Sequence, residues 1–200
     1  MDIIENAHHN EPISKSGYSE YNFSAKDITL TALFAVIISI CSWISVPTEI
    51  PFTLQTFAVF CAVLVLGGRR GFFAVLVYIM LALVGIPVLA GFTGGAGVVF
   101  GTTGGYLLGF LLITGIYYAA EKIFAEKFTI FIRAAVLVIG LFLCYIFGTV
   151  WFMQIYLSKT GEITVGEALK WCVIPFIIPD MIKLAAALAL SEQLKRRINV

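Results

Sequence analysis

From Gly71 to Ala120 the chain runs for fifty residues without one Asp, Glu, Lys or Arg. A soluble domain cannot cover itself with such a stretch, because about a quarter of its residues must be charged to make a wet surface. The rest of the chain agrees: 12% of its 200 residues are charged, 60% are hydrophobic and the mean hydropathy is +0.98. The outside of the folded chain must therefore face lipid. Only helices and closed barrels satisfy their backbone groups there, and the period-two alternation of a barrel strand is absent. Fifty residues exceed one span of about 20. "GIPVLAGFTGGAGVVFGTTGG", Gly85 to Gly105, divides them into two helices joined by a glycine-rich loop. Uncharged stretches at Ile28 to Thr48, Ile50 to Gly68 and Ala134 to Ser158, with a last span from about Trp171 to Leu194 that holds Asp180 and Lys183, bring the expectation to six membrane helices. The fold class is an all-α integral membrane bundle, one domain over residues 26–200.

Cation placement orients the bundle. With both termini inside, the inner segments hold Lys15, Lys26, Arg69, Arg70, Lys122, Lys127, Arg133, Lys195, Arg196 and Arg197, ten of 13 cations. The outer loops hold Lys159 and Lys170, and Lys183 lies within a span. The glycine-rich loop then falls on the outer side. Residues 1–25 are polar, mixed in charge and without the pattern of a signal peptide, and read as a mobile cytoplasmic tail.

Several chemistries are excluded. A net charge of +1 with no basic stripe gives no case for nucleic acid. Cys41, Cys61, Cys144 and Cys172 form no CxxC pair and read as small packing residues. Adjacent His8 and His9 point apart on an extended chain and make no metal site. Gly94, Gly95 and Gly97 do not fit a phosphate-binding loop, and no Gly-Lys-Ser/Thr follows. The chain thus has no recognisable ATPase and no catalytic constellation. Small residues at four-residue spacing, Gly101, Gly105 and Gly109 and again Gly140, Cys144 and Gly148, predict closely packed helices.

The chemistry sits in "IPFIIPDMIKLAAALAL", residues 174–190. Asp180 and Lys183 stand three apart in an otherwise apolar run, hence on one helix face. Each charge costs about 2.5–3.5 kcal/mol at the centre of a span, so that face turns inward. An ion pair serving only packing could be replaced by apolar residues at little loss, which favours a polar ligand. Lys183 can donate to a carbonyl and Asp180 can accept from an N–H, a match for a cyclic urea. The spans are rich in apolar side chains, including Phe52, Phe57, Phe92, Tyr106 and Trp151. These residues alone define a small amphiphile with a neutral head, and other vitamins or amides fit as well.

The stretch from "VPTEIPFTLQTFAVF" through "GIPVLAGFTGG" to "GTTGGYLLGFL", followed by "IPDMIK", resembles the biotin-specific substrate-binding (S) component of energy-coupling-factor (ECF) transporters, the BioY family. The resemblance implies a six-helix bundle with cytoplasmic termini that binds biotin near its outer face and is not an enzyme. It implies substrate contacts from Asp180, Lys183, Gln55, Thr93, Gly94, Gly95 and Tyr106. It also implies partners: a transmembrane coupling protein and two cytoplasmic ATPases, which alone use ATP. The docking face expected for that partner is the first helix, at Ala32, Ala35 and Ser39. Two positions depart from the family's pattern: Thr93 replaces an expected glycine or amide, and Leu107 is apolar where some relatives are basic. Rival readings are an S component for another vitamin and a stand-alone, gradient-driven biotin carrier.

Overall fold

The computed structural model describes residues 24–48, 50–159 and 161–198. The expected tail, with Lys15 and the two histidines, lies outside them apart from its last two residues.

Helix α1 covers Ala25–Trp43. It starts at a capping box in which the Ser24 hydroxyl accepts from the Asp27 N–H while the Asp27 carboxylate accepts from the Ser24 N–H. A two-residue strand, β1 (Ser45–Val46), pairs antiparallel with β2 (Phe52–Thr53). Helix α2 (Gln55–Leu66) turns directly into α3 (Gly68–Leu83) through Gly67, whose φ of +85° suits a residue without Cβ. The connection over residues 84–103 contains a 3-10 turn at Ala90–Phe92, a Leu89–Thr93 bridge and the one-turn helix α4 (Ala96–Val99). Then come α5 (Gly104–Phe124), α6 (Ile130–Lys159), α7 (Val165–Cys172) and α8 (Ile174–Ile198).

Four stretches are long and apolar enough to cross a membrane: α1, α5 with its following turn, α6, and α7–α8 through Leu194. Three details differ from the sequence expectation. The uncharged run from Ile50 becomes helical only at Gln55, so α2 has 12 residues and is about 18 Å long. Pro51 and the β2 pairing hold the preceding residues extended. The last span is broken at Val173, because Pro175 belongs in a first helical turn, where its missing N–H is harmless. The segment expected as a glycine-rich loop contains a 3-10 turn and the one-turn helix α4.

Helix α2 is the axis of the molecule. Its side chains from Ala58 to Leu64 are all buried, and it packs against α1, α3, α5 and α8. A helix that is apolar all round has no wet face and can only be central. Its short length ends it part-way through the bundle, which leaves space beyond Gln55.

The two ends of the bundle differ in character. At one, Arg70 Nε lies 2.6 Å from Asp27 and the Gly68 N–H donates to Glu121 at 2.7 Å, tying α1, α3 and α5 together. At the other, Trp43 stacks on Phe92 with centroids 4.9 Å apart and donates its indole N–H to the Pro87 carbonyl at 3.0 Å. Ser42 donates to the Val88 carbonyl, so the 84–103 connection is strapped to the end of α1.

The two expected small-residue ridges meet each other. A Cβ added at Gly105 would strike Trp151, one at Gly109 would strike Cys144, and one at Gly148 would strike the Tyr106 ring. Helices α5 and α6 therefore approach at near backbone contact, which a side chain at these positions would prevent.

Candidate functional site

The space beyond α2 is a cavity of about 310 Å³. Such a volume matches one small molecule. Its walls come from the residues before and at the start of α2, the 84–103 connection, α5, α6 and α8.

Asp180 and Lys183 form its polar end. Asp180 is 2% exposed and Lys183 is 7% exposed. They lie on α8 beyond Pro179, and the i, i+3 spacing brings Lys183 Nζ to 2.8 Å from Asp180 Oδ1. The pair does not close only on itself. The Thr56 hydroxyl donates to Asp180 Oδ1 at 2.8 Å, and the Tyr145 hydroxyl donates to Oδ2 at 2.6 Å. Lys183 donates to the Thr53 carbonyl at 2.7 Å and to Thr56 Oγ1 at 3.1 Å. Its ammonium also sits 4.3 Å from the centroid of the Phe52 ring. Thr56 thus bridges the two charges, donating its proton to the acid and accepting from the base. Buried charges are tolerated when each is paired and hydrogen-bonded, and this network meets that requirement from three helices.

The count of donors and acceptors is uneven. An ammonium has three protons, and all three of Lys183's have protein acceptors. A carboxylate offers about four acceptor positions. Two partners reach Oδ1 and one reaches Oδ2, so among the described residues one lone pair of Oδ2 is uncommitted. Gln55 is similar: Nε2 donates to the Tyr78 hydroxyl and Oε1 accepts from Thr53 at 2.8 Å, leaving a second amide proton. Lys183, expected to donate to a ligand carbonyl, donates to three protein acceptors here. Its protons hold the extended Thr53 backbone, Thr56 and Asp180 in place.

The other expected site residues divide. Gln55, Thr93 and Tyr106 line the cavity beside Asp180 and Lys183. The Thr93 hydroxyl donates to the Ala90 carbonyl at 2.9 Å, and the Tyr106 hydroxyl is 2.9 Å from Thr149. Gly94 and Gly95 are not among the lining residues. Gly94 is pressed against the Ile86 carbonyl, and the Gly95 N–H donates to the Ala82 carbonyl at 2.7 Å, so these glycines shape the connection instead. On α1, Ala35 and Ser39 are 1% and 4% exposed and turn into the bundle, while Ala32 lies on the outer face with Val36 and Ile40. Small residues four apart mark a close approach, and here the neighbours of α1 are α2 and α3 within the same chain. Thr56 and Tyr145 were missed as site residues. A tyrosine hydroxyl inside an uncharged span needs a partner, and Asp180 is the carboxylate deepest within a span.

Comparison with known proteins follows the same lines. The family model described as BioY family matches residues 14–200. A Pyrococcus horikoshii protein named "Probable biotin transporter BioY" is 36% identical over 172 residues, 86% of this chain and 97% of its own length. The "Biotin transporter BioY" of Thermotoga maritima is 36% identical over 175 residues, covering 86% and 96%. Both are named as transporters, not as enzymes. A solved structure of "the S-component for biotin from an ECF-type ABC transporter" superposes with a TM-score of 0.73 over 86% of this chain and 91% of that one. Its identity of 23% makes that a statement about fold. A match over nearly the whole chain, two full-length relatives and a shared fold agree: the chain belongs to the BioY family.

Proposed function

We propose that this chain captures biotin at the outer face of a prokaryotic plasma membrane and passes it inward as the S component of an ECF transporter. The observation that carries the reading is the buried Asp180–Lys183–Thr56–Tyr145 network at one end of a small-molecule-sized cavity, in a chain whose relatives are named biotin transporters. The free lone pair of Asp180 Oδ2 accepts a ureido N–H, and the second Gln55 amide proton serves the ureido carbonyl. Lys183 holds Asp180 in place through the 2.8 Å contact. Tyr106 and Phe110 wall the apolar ring and tail, and the Thr93 turn lies over them.

The topology belongs to the same proposal. Helices α2 and α3 join the four longer stretches to make six spans, with the half-length of α2 completed by the extended residues before it. The end carrying Arg69, Arg70, Lys122, Lys127, Arg133, Arg196 and Arg197 is cytoplasmic by the positive-inside rule, which puts both termini there and the cavity at the outer side. Residues 26–200 then form one membrane domain. The chain carries no ATPase motif, so concentrating biotin requires a coupling membrane protein and two cytoplasmic ATPases. The outer face of α1 at Ala32 is where the coupling protein docks.

Calorimetric titration of the purified chain with biotin tests the core of this. Saturable binding of one biotin per chain is expected. Absence of heat at ligand concentrations up to about 1 mM, where even a 4 kcal/mol interaction registers, would sink it. Uptake in cells with the ATPases deleted separates the proposal from a gradient-driven carrier, which would still accumulate biotin.

A further inference from the structure

Among the described residues that line the cavity, none offers an uncommitted cation for a ligand's charge. Asp180 is the one carboxylate and Lys183 the one ammonium there, so these charges cancel. Lys183 has all three protons committed, to the Thr53 carbonyl, to Thr56 and to Asp180. A ligand carboxylate could recruit that ammonium only by displacing one of these three acceptors, which either strips a buried group of its partner or crowds two acids around one buried base. The far wall offers no substitute. Leu89, Ala90 and Val98 are apolar, the Thr93 hydroxyl proton already goes to the Ala90 carbonyl, and Thr103 adds a neutral hydroxyl but no charge. A carboxylate drawn into this space would lose its hydration without gaining a charge partner, so it stays at the mouth, in water.

Resting on the biotin reading above, we infer that the site recognises the cyclic urea and the apolar tail but not the charge at the tail's end. Its substrate class is cyclic ureas on an aliphatic chain, with the terminal group free to vary. Neutral-tail derivatives, the carboxamide and the primary alcohol, bind as biotin does.

The test is calorimetric titration of the purified full-length chain with three probes: biotin, its carboxamide biotinamide, and biotin methylated on a ureido nitrogen. The expected result is biotinamide within about threefold of biotin, and the methylated compound weaker by about tenfold or more, since it removes a hydrogen bond to a charged acceptor. A carboxylate held by a buried cation would instead lose roughly thirtyfold or more when amidated. A loss beyond about tenfold for biotinamide, with biotin itself binding, overturns this inference and leaves the biotin reading intact. Failure of biotin itself to bind overturns that reading, and the inference with it.

Discussion

Along the α5–α6 seam the helices meet because side chains are missing; along the α2–α8 seam they meet through a charged pair. In the first, Gly105, Gly109 and Gly148 let the helices approach closely, and no space remains between them at these positions. In the second, Asp180 and Lys183 reach across to Thr56 and the Thr53 carbonyl, and a cavity opens beside them. Both seams solve the same problem, since in lipid there is no hydrophobic drive to bring helices together. Close packing supplies dispersion and leaves nothing for a ligand. A polar network holds two helices at side-chain distance and leaves an acceptor unused. The seam that costs more to build is the one that can bind.

The largest effect should come from breaking the charged seam on one side. Lys183→Met leaves Asp180 without its counter-charge in the bundle, a loss of about 3–5 kcal/mol. Thermal unfolding in detergent reads this directly. The double variant Asp180→Asn, Lys183→Met removes both charges and keeps one acceptor oxygen for Tyr145 or Thr56, the other hydroxyl turning to accept from the Asn amide N–H, and should recover most of that stability. Biotin affinity should not recover, because the ionised acceptor is gone. Recovery of binding together with stability would show that the pair serves packing alone.

The glycine seam should respond the other way. Gly148→Leu drives a side chain into the Tyr106 ring and is expected to destabilise by about 1–3 kcal/mol through overpacking. Unlike the charge variants, it admits no rescue by a second polar change. Only shrinking the opposing side chain, Tyr106→Ala, should recover stability, and double-variant unfolding measures that coupling.

A smaller change sharpens the description of the polar seam. Tyr145→Phe removes one donor to Asp180 Oδ2 and is expected to cost about 1 kcal/mol of stability. It also frees a second lone pair on the oxygen assigned to the ligand. Biotin affinity should shift by less than about tenfold, whereas Asp180→Asn should lose at least that much. Equal losses in the two variants would mean that Tyr145, not Asp180, carries the ligand contact.

These seams were not equally visible in the sequence. The small-residue ridges could be read outright, because four-residue spacing of glycine dictates a close approach whatever the partner. What spacing does not encode is which neighbour approaches. Ala35 and Ser39 show the consequence: the same pattern pointed to an external partner, and the helices that use it are internal. The Asp180–Lys183 pair was legible because charge is so costly in a span. Its saturation was not, since the acceptor that takes one Lys183 proton is the Thr53 backbone carbonyl, and a backbone position carries no sequence signal. Likewise the break at Val173 could be inferred from Pro175 only once the helix start was known.

The outer face of α1 provides the smallest effect on the isolated chain and a separate test of docking. Ala32 is exposed and shares its face with Val36 and Ile40, 51% and 46% exposed, so Ala32→Leu adds apolar surface without meeting a neighbour. Stability and biotin affinity of the purified variant should stay within about 0.5 kcal/mol of the parent. Ala35→Leu, one turn of thought away in sequence but turned inward at 1% exposure, should destabilise by about 1–3 kcal/mol. If a coupling protein docks on this face, Ala32→Leu should nonetheless lower biotin uptake in cells that contain the whole transporter. Uptake at the parental rate, with the variant inserted at parental level, would move the docking surface away from α1.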